Sequence, residues 1–478
     1  MKTKISKKIV VTKDGHKITL INLLQPAFQK LYGTDLVSAT SILESLDTVK
    51  LDSIKGEFAL ASFAKDKLGR NIIVGARTIG VPARVACQLI SSKHTRIIFA
   101  HTINEIAEYW LTDQQKYNLK TFDPSYTEML PAYYIVKIKP WAIRDREYSW
   151  FLQAPEHQRP DSNMLLHAQI DIIGKSYVDA VYNEITRALQ IIPPNADIGV
   201  SLSGGIDSSL VTLLLIDAVK KLNRKNKILL FTLSIGNKGI DKVHAAELLN
   251  CLPEKFRQNW YPISAPIKSI HPNKLRLDVS NIIEEYHVRD LEGAMANFIL
   301  LKEIRKYHPN LKYIFDGDGG NEAFEDYPLE DEGYGRITID DVWDDPQLFY
   351  LGYNRKKLAF NPIFSGGLSR AFVRTFNPAR HFGFIGFSPS ISRDIVKVAQ
   401  HFPLKEIAPN ANKLHKLRGL CVKAAIKKFL GIDMPIFEKI RFQDGVMLNG
   451  NDNSTPFRVT MEQSIILKNK LLRSSSIK

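Results

Sequence analysis

The stretch Ile198-Gly-Val-Ser-Leu-Ser-Gly-Gly-Ile-Asp-Ser-Ser209 decides the fold that we predict for the C-terminal part of the chain. It begins as an apolar run after a Pro-Pro-Asn turn, which is typical of a buried strand. It then breaks into Ser203-Gly204-Gly205, and Asp207-Ser208-Ser209 opens an apolar helix that extends to Val219. Glycines let backbone N–H groups approach an anion, hydroxyls add donors, and the helix dipole favours negative charge. The stretch therefore predicts a phosphate-binding loop, with a serine- and glycine-rich turn that only caps a helix as the alternative.

Length and composition indicate a globular protein with two domains. A chain of 478 residues is too long for one hydrophobic core, and 44% hydrophobic with 24% charged residues is ordinary for such proteins. The apolar stretches are short or broken by charge and proline, so we expect no membrane span and no secretory signal. The three cysteines, Cys87, Cys251 and Cys421, form neither a metal pattern nor a disulfide framework. We therefore expect a cytoplasmic protein.

The formal net charge of +15 raises the question of nucleic-acid binding. Much of this charge comes from scattered lysines and short clusters such as Lys220-Lys221 and Lys427-Lys428, with no basic stripe interleaved with aromatic residues. A solvated basic surface that attracts an anionic, phosphate-bearing ligand explains the charge better. We expect no nucleic-acid partner.

Residues 1 to about 160 predict an α+β domain built from short strands. Ile9-Val-Val-Thr, the turn Lys13-Asp-Gly-His and Ile18-Thr-Leu-Ile form a hairpin pattern. Further short strands, separated by polar turns, indicate a mainly antiparallel arrangement. The segment from Pro140 to Pro160, rich in charge, Trp and Pro, is predicted to be the linker.

Residues 166–478 predict a second domain with alternating strands and helices. A helix from about Leu165 to Gln190 precedes the loop, and strand, helix and strand patterns follow it as far as Leu311-Lys-Tyr-Ile-Phe315. This order is typical of a doubly wound parallel sheet, which binds ligands at the carboxyl ends of its strands. From about Leu329 onward we expect few strands.

Three more segments fit a nucleotide-binding sheet. Leu233-Ser-Ile-Gly236 ends the second strand, where backbone groups can meet adenine, although a plain strand-end turn is equally compatible with it. Asp316-Gly-Asp-Gly-Gly-Asn-Glu322 crowds carboxylates around glycines, which is costly unless a cation shares them. Mg²⁺ bound to the phosphates of a nucleotide is the natural cation, and Asp207 its natural partner, with a turn of solvated acids as the alternative. Near the C-terminus, Lys439 or Arg441 can neutralise pyrophosphate or the charge of a tetrahedral intermediate.

The chain resembles the asparagine synthetase superfamily, which includes β-lactam synthetases and lasso-peptide cyclases. Ser203 to Ser209 resembles the pyrophosphate loop of ATP pyrophosphatases, and Gly317-Asp-Gly-Gly-Asn-Glu-Ala-Phe is similar to the family segment G-x-G-A-D-E-L-F. Lys416-Leu-Arg418 resembles the family stretch K-x-L-R, and Lys439 falls where the family places a catalytic lysine. In the N-terminal part, Gly56-Glu-Phe-Ala-Leu-Ala is similar to a stretch of the family's glutaminase-type domain.

The chain also departs from the family pattern. The family's glutaminase uses a cysteine at its new N-terminus, where this chain has Lys2, so we expect that position not to hydrolyse glutamine. Ile385 stands where many members have a glutamate, and Asp318 stands where the β-lactam enzymes have a tyrosine. Asn321 replaces the usual metal-binding aspartate but keeps an oxygen ligand.

The resemblance implies an N-terminal domain like a degenerate Ntn-hydrolase glutaminase, followed by an α/β ATP-pyrophosphatase synthetase domain. It implies an ATP- and Mg²⁺-dependent ligase that adenylates a substrate carboxylate and joins it to an amine, within one molecule or between two. An ammonia-dependent asparagine-type synthetase and an inactive ATP-binding scaffold are the alternatives. The expected partners are a small-molecule or peptide acid and an amine, and a homodimer is left open.

These segments together give the predicted site residues. The predicted ATP-binding residues lie in the loop and at the strand ends: Ser201, Ser203, Gly204, Gly205, Asp207, Ser208, Ser209, Leu233, Ser234, Gly236 and Gly317. The predicted metal ligands are Asp207, Asn321 and Glu322, and the predicted catalytic residues are Lys439, Asp318 and Glu322.

Overall fold

The computed structural model describes residues 6–24, 35–54, 56–112, 127–143, 145–153, 166–236, 239–324, 326, 372–401, 408, 411–447 and 456–474. The chain divides into two compact units: Met1–Gln153 with Ile465–Lys478, and Ala154–Ser464. The sequence-based boundaries, 1–160 and 166–478, stay predictions, and they differ from this division in the placement of Ile465–Lys478. Among the described residues, no helix is both long and apolar enough to cross a lipid bilayer.

The first unit contains two sheets and three helices within residues 6–153 as described. Its strands are β1 (Ser6–Val11), β2 (Lys17–Asn22), β3 (Ala59–Lys65), β4 (Asn71–Arg77), β5 (Arg84–Ser91), β6 (His94–Ala100), β7 (Thr127–Met129), β8 (Tyr134–Ile138) and β9 (Arg146–Trp150). Its helices are α1 (Leu36–Glu44), α2 (Thr48–Ser53) and α3 (Ile103–Thr112). The hairpin predicted from the sequence is present, because β1 pairs antiparallel with β2.

The two sheets of the first unit pack face to face. One has the strand order β1-β2-β6-β5-β7 and the other β3-β4-β8-β9. In β2, Ile18 and Leu20 point into a core that also contains Ile73 and Val136 of the other sheet. Because successive side chains of a strand alternate between faces, Ile21 points the opposite way. The pairing is antiparallel except between β2 and β6, which run parallel.

Helices cover the outer faces of both sheets. Ile106 and Trp110 of α3 pack with Ile21 and Ile98 on the outer face of the first sheet. On the other side, α1 packs against β3 and β4. The first unit thus has four layers in the order helix, sheet, sheet, helix.

The second unit is organised around one parallel sheet. Its strands are β10 (Ile198–Ser201), β11 (Ile228–Ile235), β12 (Trp260–Ala265), β13 (Tyr313–Phe315) and β14 (Ile385–Phe387). Its helices are α4 (Leu166–Ile191), α5 (Ile206–Lys221), α6 (Ile240–Asn250), α7 (Glu254–Arg257), α8 (Pro272–Ile283), α9 (Val288–Tyr307), α10 (Gly320–Phe324), α11 (Asn377–His381), α12 (Arg393–His401), α13 (Ala411–Leu430) and α14 (Phe442–Gly445). The last described helix, α15 (Met461–Ser474), continues past Ser464 into the segment assigned to the first unit.

The strand order β12-β11-β10-β13-β14 places a topological switch point between β10 and β13. The chain moves outward from β10 to β12 and then returns to add β13 on the other side of β10. In such sheets, ligands bind beyond the carboxyl ends of the strands at this point. All eight residues of β11 are buried, as expected for a strand covered on both faces. The predicted α/β parallel-sheet domain is confirmed.

Candidate functional site

The predicted phosphate-binding loop joins β10 to the N-terminus of α5. Gly204 has a φ of +80°, a left-handed conformation that glycine adopts without steric cost. The hydroxyls of Ser203 and Ser208 lie 3.0 Å apart, and the backbone N–H of Gly205 donates to Ser203 Oγ at 3.4 Å. Since the first N–H groups of a helix have no partner within the helix, the loop and the start of α5 can bind an anion.

One cleft beyond the strand ends collects most of the predicted residues. Its walls come from the loop after β10, the end of β11, the acidic segment after β13 and the segment before α14. The predicted residues that line it are Ser201, Ser203, Gly205, Asp207, Ser208, Leu233, Gly317, Asp318, Asn321, Glu322 and Lys439. The remaining predicted residues, Gly204, Ser209, Ser234 and Gly236, are not part of its described lining.

Of the residues predicted at the end of β11, Leu233 lines the cleft, as does Phe231 two residues before it. The hydroxyl of Ser234 accepts a hydrogen bond from the backbone N of Gly239 at 2.9 Å. The backbone N–H of Gly236 donates to the carbonyl of Ala265 at 3.0 Å. Among the backbone groups predicted to meet adenine, the N–H of Gly236 is therefore already bonded to the end of β12.

Asp207 is held by a buried arginine. The guanidinium of Arg418, which is fully buried in α13, binds both carboxylate oxygens of Asp207, with Nη2 3.2 Å from Oδ2. The phenol of Tyr177 in α4 donates to Oδ1 at 2.8 Å. Three donors thus converge on this carboxylate, and they join α4, α5 and α13.

Arg418 binds a second carboxylate, that of Asp326. Arg418 Nε donates to Asp326 Oδ2 at 2.7 Å, and His415 Nδ1 lies 3.1 Å from the same oxygen. Burial opposes ionisation of Asp326, but the charge of Arg418 and the hydrogen bond from His415 outweigh it and lower its pKa to about 2. The side-chain amide of Asn321 donates to Asp326 Oδ1 at 2.9 Å. This amide nitrogen of Asn321 therefore points to Asp326.

The acidic segment after β13 has its own arginine. Arg374 donates to both oxygens of Asp318, with Nε 3.1 Å from Oδ2, and to Glu322 Oε1 at 2.7 Å. Asp316, at the end of the strand, accepts from Ser388 Oγ at 2.7 Å and from the backbone N of Asp318 at 2.9 Å. Burial and the charge of Asp318 raise the pKa of Asp316 to about 7.

Lys439 and Arg441 differ in their surroundings. Lys439 is exposed at the cleft, whereas Arg441 Nε forms an ion pair with Asp444 Oδ2 at 2.9 Å. Asp241, on the α6 side of the cleft, is buried, and burial raises its pKa well above the usual range while the charge of Lys439 opposes this. Among the described residues, Arg441 would have to break an ion pair to turn to a ligand, whereas Lys439 would not.

Sequence reasoning missed the side chains that bind the predicted residues Asp207, Asp318, Asn321 and Glu322. They are Tyr177, Asp326, Arg374, His415 and Arg418. Arg418 carried one signal, since it ends the K-x-L-R stretch of the family resemblance. The region from about Leu329 onward, where we expect few strands, lies outside the described residues as far as residue 371.

Each of the three predicted metal ligands contacts another side chain in this arrangement. Asp207 and Glu322 each bind an arginine, and the amide of Asn321 binds Asp326. Within the described part of the chain, no group of three or more His, Cys, Asp or Glu side chains is placed to hold a metal ion. The assignment of Mg²⁺ to these three residues stays a prediction that the ion pairs do not favour.

Comparison with known proteins agrees with the motifs of the second unit. The family model described as Asparagine synthase matches residues 194–381. A curated relative, the glutamine-hydrolyzing asparagine synthetase of Gallus gallus, is 24% identical over 173 residues, which are 34% of this chain and 29% of that protein. The aligned part thus spans less than a third of this relative. The resemblance to the asparagine synthetase superfamily is confirmed for this region.

Proposed function

We propose that this chain, whose residues 194–381 belong to the asparagine synthetase superfamily, is an AMP-forming ligase that makes an amide bond through an acyl-adenylate. The family match by itself supports an ATP-dependent ligase that forms a carbon–nitrogen bond. The AMP-forming route and the nature of the two substrates are the parts that we add.

One observation carries the proposal: three independent segments converge on one cleft. The anion-binding loop before α5, the acidic segment after β13 and the exposed Lys439 all line it. Their sequence positions are far apart, but β10 and β13 are adjacent, which brings the first two to the switch point. This combination suits a triphosphate at one end of the cleft and a reacting carboxylate at the other.

The residues divide the proposed reaction between them. The substrate carboxylate attacks the α-phosphorus of ATP, so that the bond to the β-phosphate breaks and pyrophosphate leaves. In this proposal, the loop around Ser203 and Ser208 binds the pyrophosphate, and Lys439 stabilises the developing negative charge. The amine then attacks the acyl carbon and displaces AMP, while Asp318 accepts the proton that the amine loses. When bound together with the nucleotide, Mg²⁺ would supply positive charge to the phosphates.

The first unit supports a specialised role for the enzyme. Its helix, sheet, sheet, helix layering suits the Ntn-hydrolase-like domain that we propose for it. Cys87, the cysteine between Met1 and Gln153, accepts a hydrogen bond from Arg146 at 3.6 Å, and burial raises the pKa of its thiol. A thiol held in this way is a poor nucleophile. Because Cys87 is a poor nucleophile, we favour a metabolite or peptide ligase related to the β-lactam and lasso-peptide branches.

A second candidate, an inactive ATP-binding scaffold, is favoured by one observation. The carboxylates of Asp207, Asp318 and Glu322 are all paired with arginines, which leaves fewer groups to act on a substrate. A scaffold binds ATP but does not exchange its pyrophosphate.

Exchange of radiolabelled pyrophosphate into ATP separates the two candidates. The assay uses the full chain with Mg-ATP and a library of amino acids, diamino acids and peptides. We expect exchange that requires one class of acid and that is lost in Lys439→Met. ATP binding without exchange for every acid in the library would support the scaffold instead.

A further inference from the structure

Arg374 lies between two carboxylates of the acidic segment. Its Nε and Nη2 donate to Asp318, and Nη2 also donates to Glu322 Oε1 at 2.7 Å. Arg374 is 7% exposed and Glu322 is 1% exposed, so water screens these charges little. One guanidinium is therefore shared by two carboxylates within the cleft.

Helix α9 provides the space for this arginine independently of the acidic segment. A Cβ atom at Gly293 would lie 2.9 Å from Arg374 Cδ, so a larger residue there would displace the side chain. One turn later, Asn297 Nδ2 donates to the backbone carbonyl of Arg374 at 3.0 Å. The position of the guanidinium is thus fixed from α9 as well as from Asp318 and Glu322.

A cation between Asp318 and Glu322 stabilises their negative charges as a bound metal ion would. Neighbouring carboxylates in a poorly solvated site stay ionised only when a positive charge is close. Mg²⁺ and Mn²⁺ would bind through the same carboxylate oxygens that Arg374 now contacts. Arginine keeps its charge at all ordinary pH values, and its planar group suits two acceptors at once.

We propose that Arg374 is the built-in cation of the acidic segment: it fills the place between Asp318 and Glu322 that a divalent metal ion would take, and it positions Asp318 in the cleft. The segment itself then holds no divalent ion in the nucleotide-free protein. The catalytic use of Asp318 rests on the proposed function, but the identity of the cation does not.

Titration of the nucleotide-free full chain with Mn²⁺, followed by electron paramagnetic resonance of the free ion, tests this directly. We expect Arg374→Met to bind Mn²⁺ at least about tenfold more tightly than the wild type, because two carboxylates lose their cation. Arg374→Lys keeps the charge and should behave like the wild type. Adding Asp318→Asn or Glu322→Gln to Arg374→Met should remove the gained binding and so map it to this segment.

Two further variants keep the test decisive. Gly293→Ala retains every charge and favours the helix, yet it displaces the guanidinium. It should gain weaker Mn²⁺ binding, and its result decides the matter if Arg374→Met does not fold. Arg305→Met is the matched control, since Arg305 donates to the backbone carbonyls of Phe382 and Leu311, each at 2.8 Å. It should gain no binding.

Two results would overturn the proposal. One is Mn²⁺ binding to the wild-type protein that disappears in Asp318→Asn or Glu322→Gln. The other is that Arg374→Met folds and gains no Mn²⁺ binding. If Arg374→Met does not fold, the same result for a folded Gly293→Ala would overturn the proposal. Because the titration uses no ATP and no substrate, it gives its answer even if no acid supports pyrophosphate exchange.

Discussion

Arg418 and Asp207 form a bidentate ion pair inside the second unit. The guanidinium of Arg418 is completely buried, and its other side binds Asp326. The aspartate of the phosphate-binding loop is thereby tied to α13. This relationship gives Asp207 a part in stability that the sequence alone did not indicate.

We predict that Asp207→Ala destabilises the protein. Removing one partner of a buried ion pair typically costs about 3–5 kcal/mol. Because Arg418 keeps its pair with Asp326, we expect a loss towards the lower end of this range. Urea denaturation of the wild type and the variant measures the change in the free energy of unfolding.

Asp179→Ala is the matched control, because Asp179 forms an exposed ion pair with Lys175. Exposed pairs contribute about 0–1 kcal/mol, so this variant should stay close to the wild type. Equal unfolding free energies for Asp207→Ala and the wild type would show that the buried pair does not stabilise the fold.

The lowered pKa of Asp326 predicts that the folded protein loses stability in acid. Its pKa in the folded protein is about 2, below the ordinary value of 3.8, because Arg418 and His415 favour the carboxylate over the effect of burial. A lowered pKa contributes stability that is present above about pH 4 and is lost as the pH falls towards 2, here about 2 kcal/mol. Unfolding free energies of the wild type and Asp326→Asn, measured between these pH values, should differ in slope. Parallel curves would contradict the assignment.

The raised pKa of Asp316 predicts that stability decreases with increasing pH, in a higher pH range than that of Asp326. Burial and the charge of Asp318 raise its pKa to about 7, so the folded protein binds an extra proton between about pH 4 and 7. Asp316 therefore lowers stability as the pH rises through this range. Thermal melts of Asp316→Asn should show a smaller decline than the wild type between those pH values. A decline as steep as that of the wild type would mean that Asp316 titrates normally.

Lys439 and Arg441 should differ in what their removal changes. Lys439→Met should lower turnover by about 10²–10³ and leave ATP affinity and the melting temperature nearly unchanged, since the exposed lysine carries no ion pair shown here. Arg441→Met should be the milder change in rate but should lower the melting temperature, because the buried Asp444 loses its ion pair with Arg441. Steady-state kinetics and thermal melts of both variants check this ranking. The reverse ranking in rate would move the catalytic cation to Arg441.

The parts of the site that come directly after a strand in the sequence were predictable. The loop after β10 and the acidic segment after β13 are short sequence patterns whose glycines and polar residues indicate a turn. Because β10 and β13 are parallel neighbours, both turns lie at the same edge of the sheet. The helix predicted from about Leu165 to Gln190 is observed as Leu166–Ile191, because its apolar residues recur at helical spacing. The α/β class of this region followed from the same patterns.

The arginine partners could not be predicted from local patterns. Arg418 lies 211 residues from Asp207 in the chain, and Arg374 lies 56 residues from Asp318. Single charged residues in helices are usually solvated, so nothing near them signals that tertiary packing buries them against carboxylates. For the same reason, the sequence indicated the carboxylates Asp207 and Glu322 but not the guanidinium groups that bind them.

The fate of the carboxylate oxygen tests the central claim most directly. An acid that supports pyrophosphate exchange is prepared with isotopically labelled carboxylate oxygen and incubated with the protein, ATP and an amine. The acyl-adenylate route predicts that one labelled oxygen appears in the phosphate of AMP, together with pyrophosphate and the amide in equal amounts. Formation of the amide with ADP and phosphate as products, or with AMP that carries no label, would contradict it.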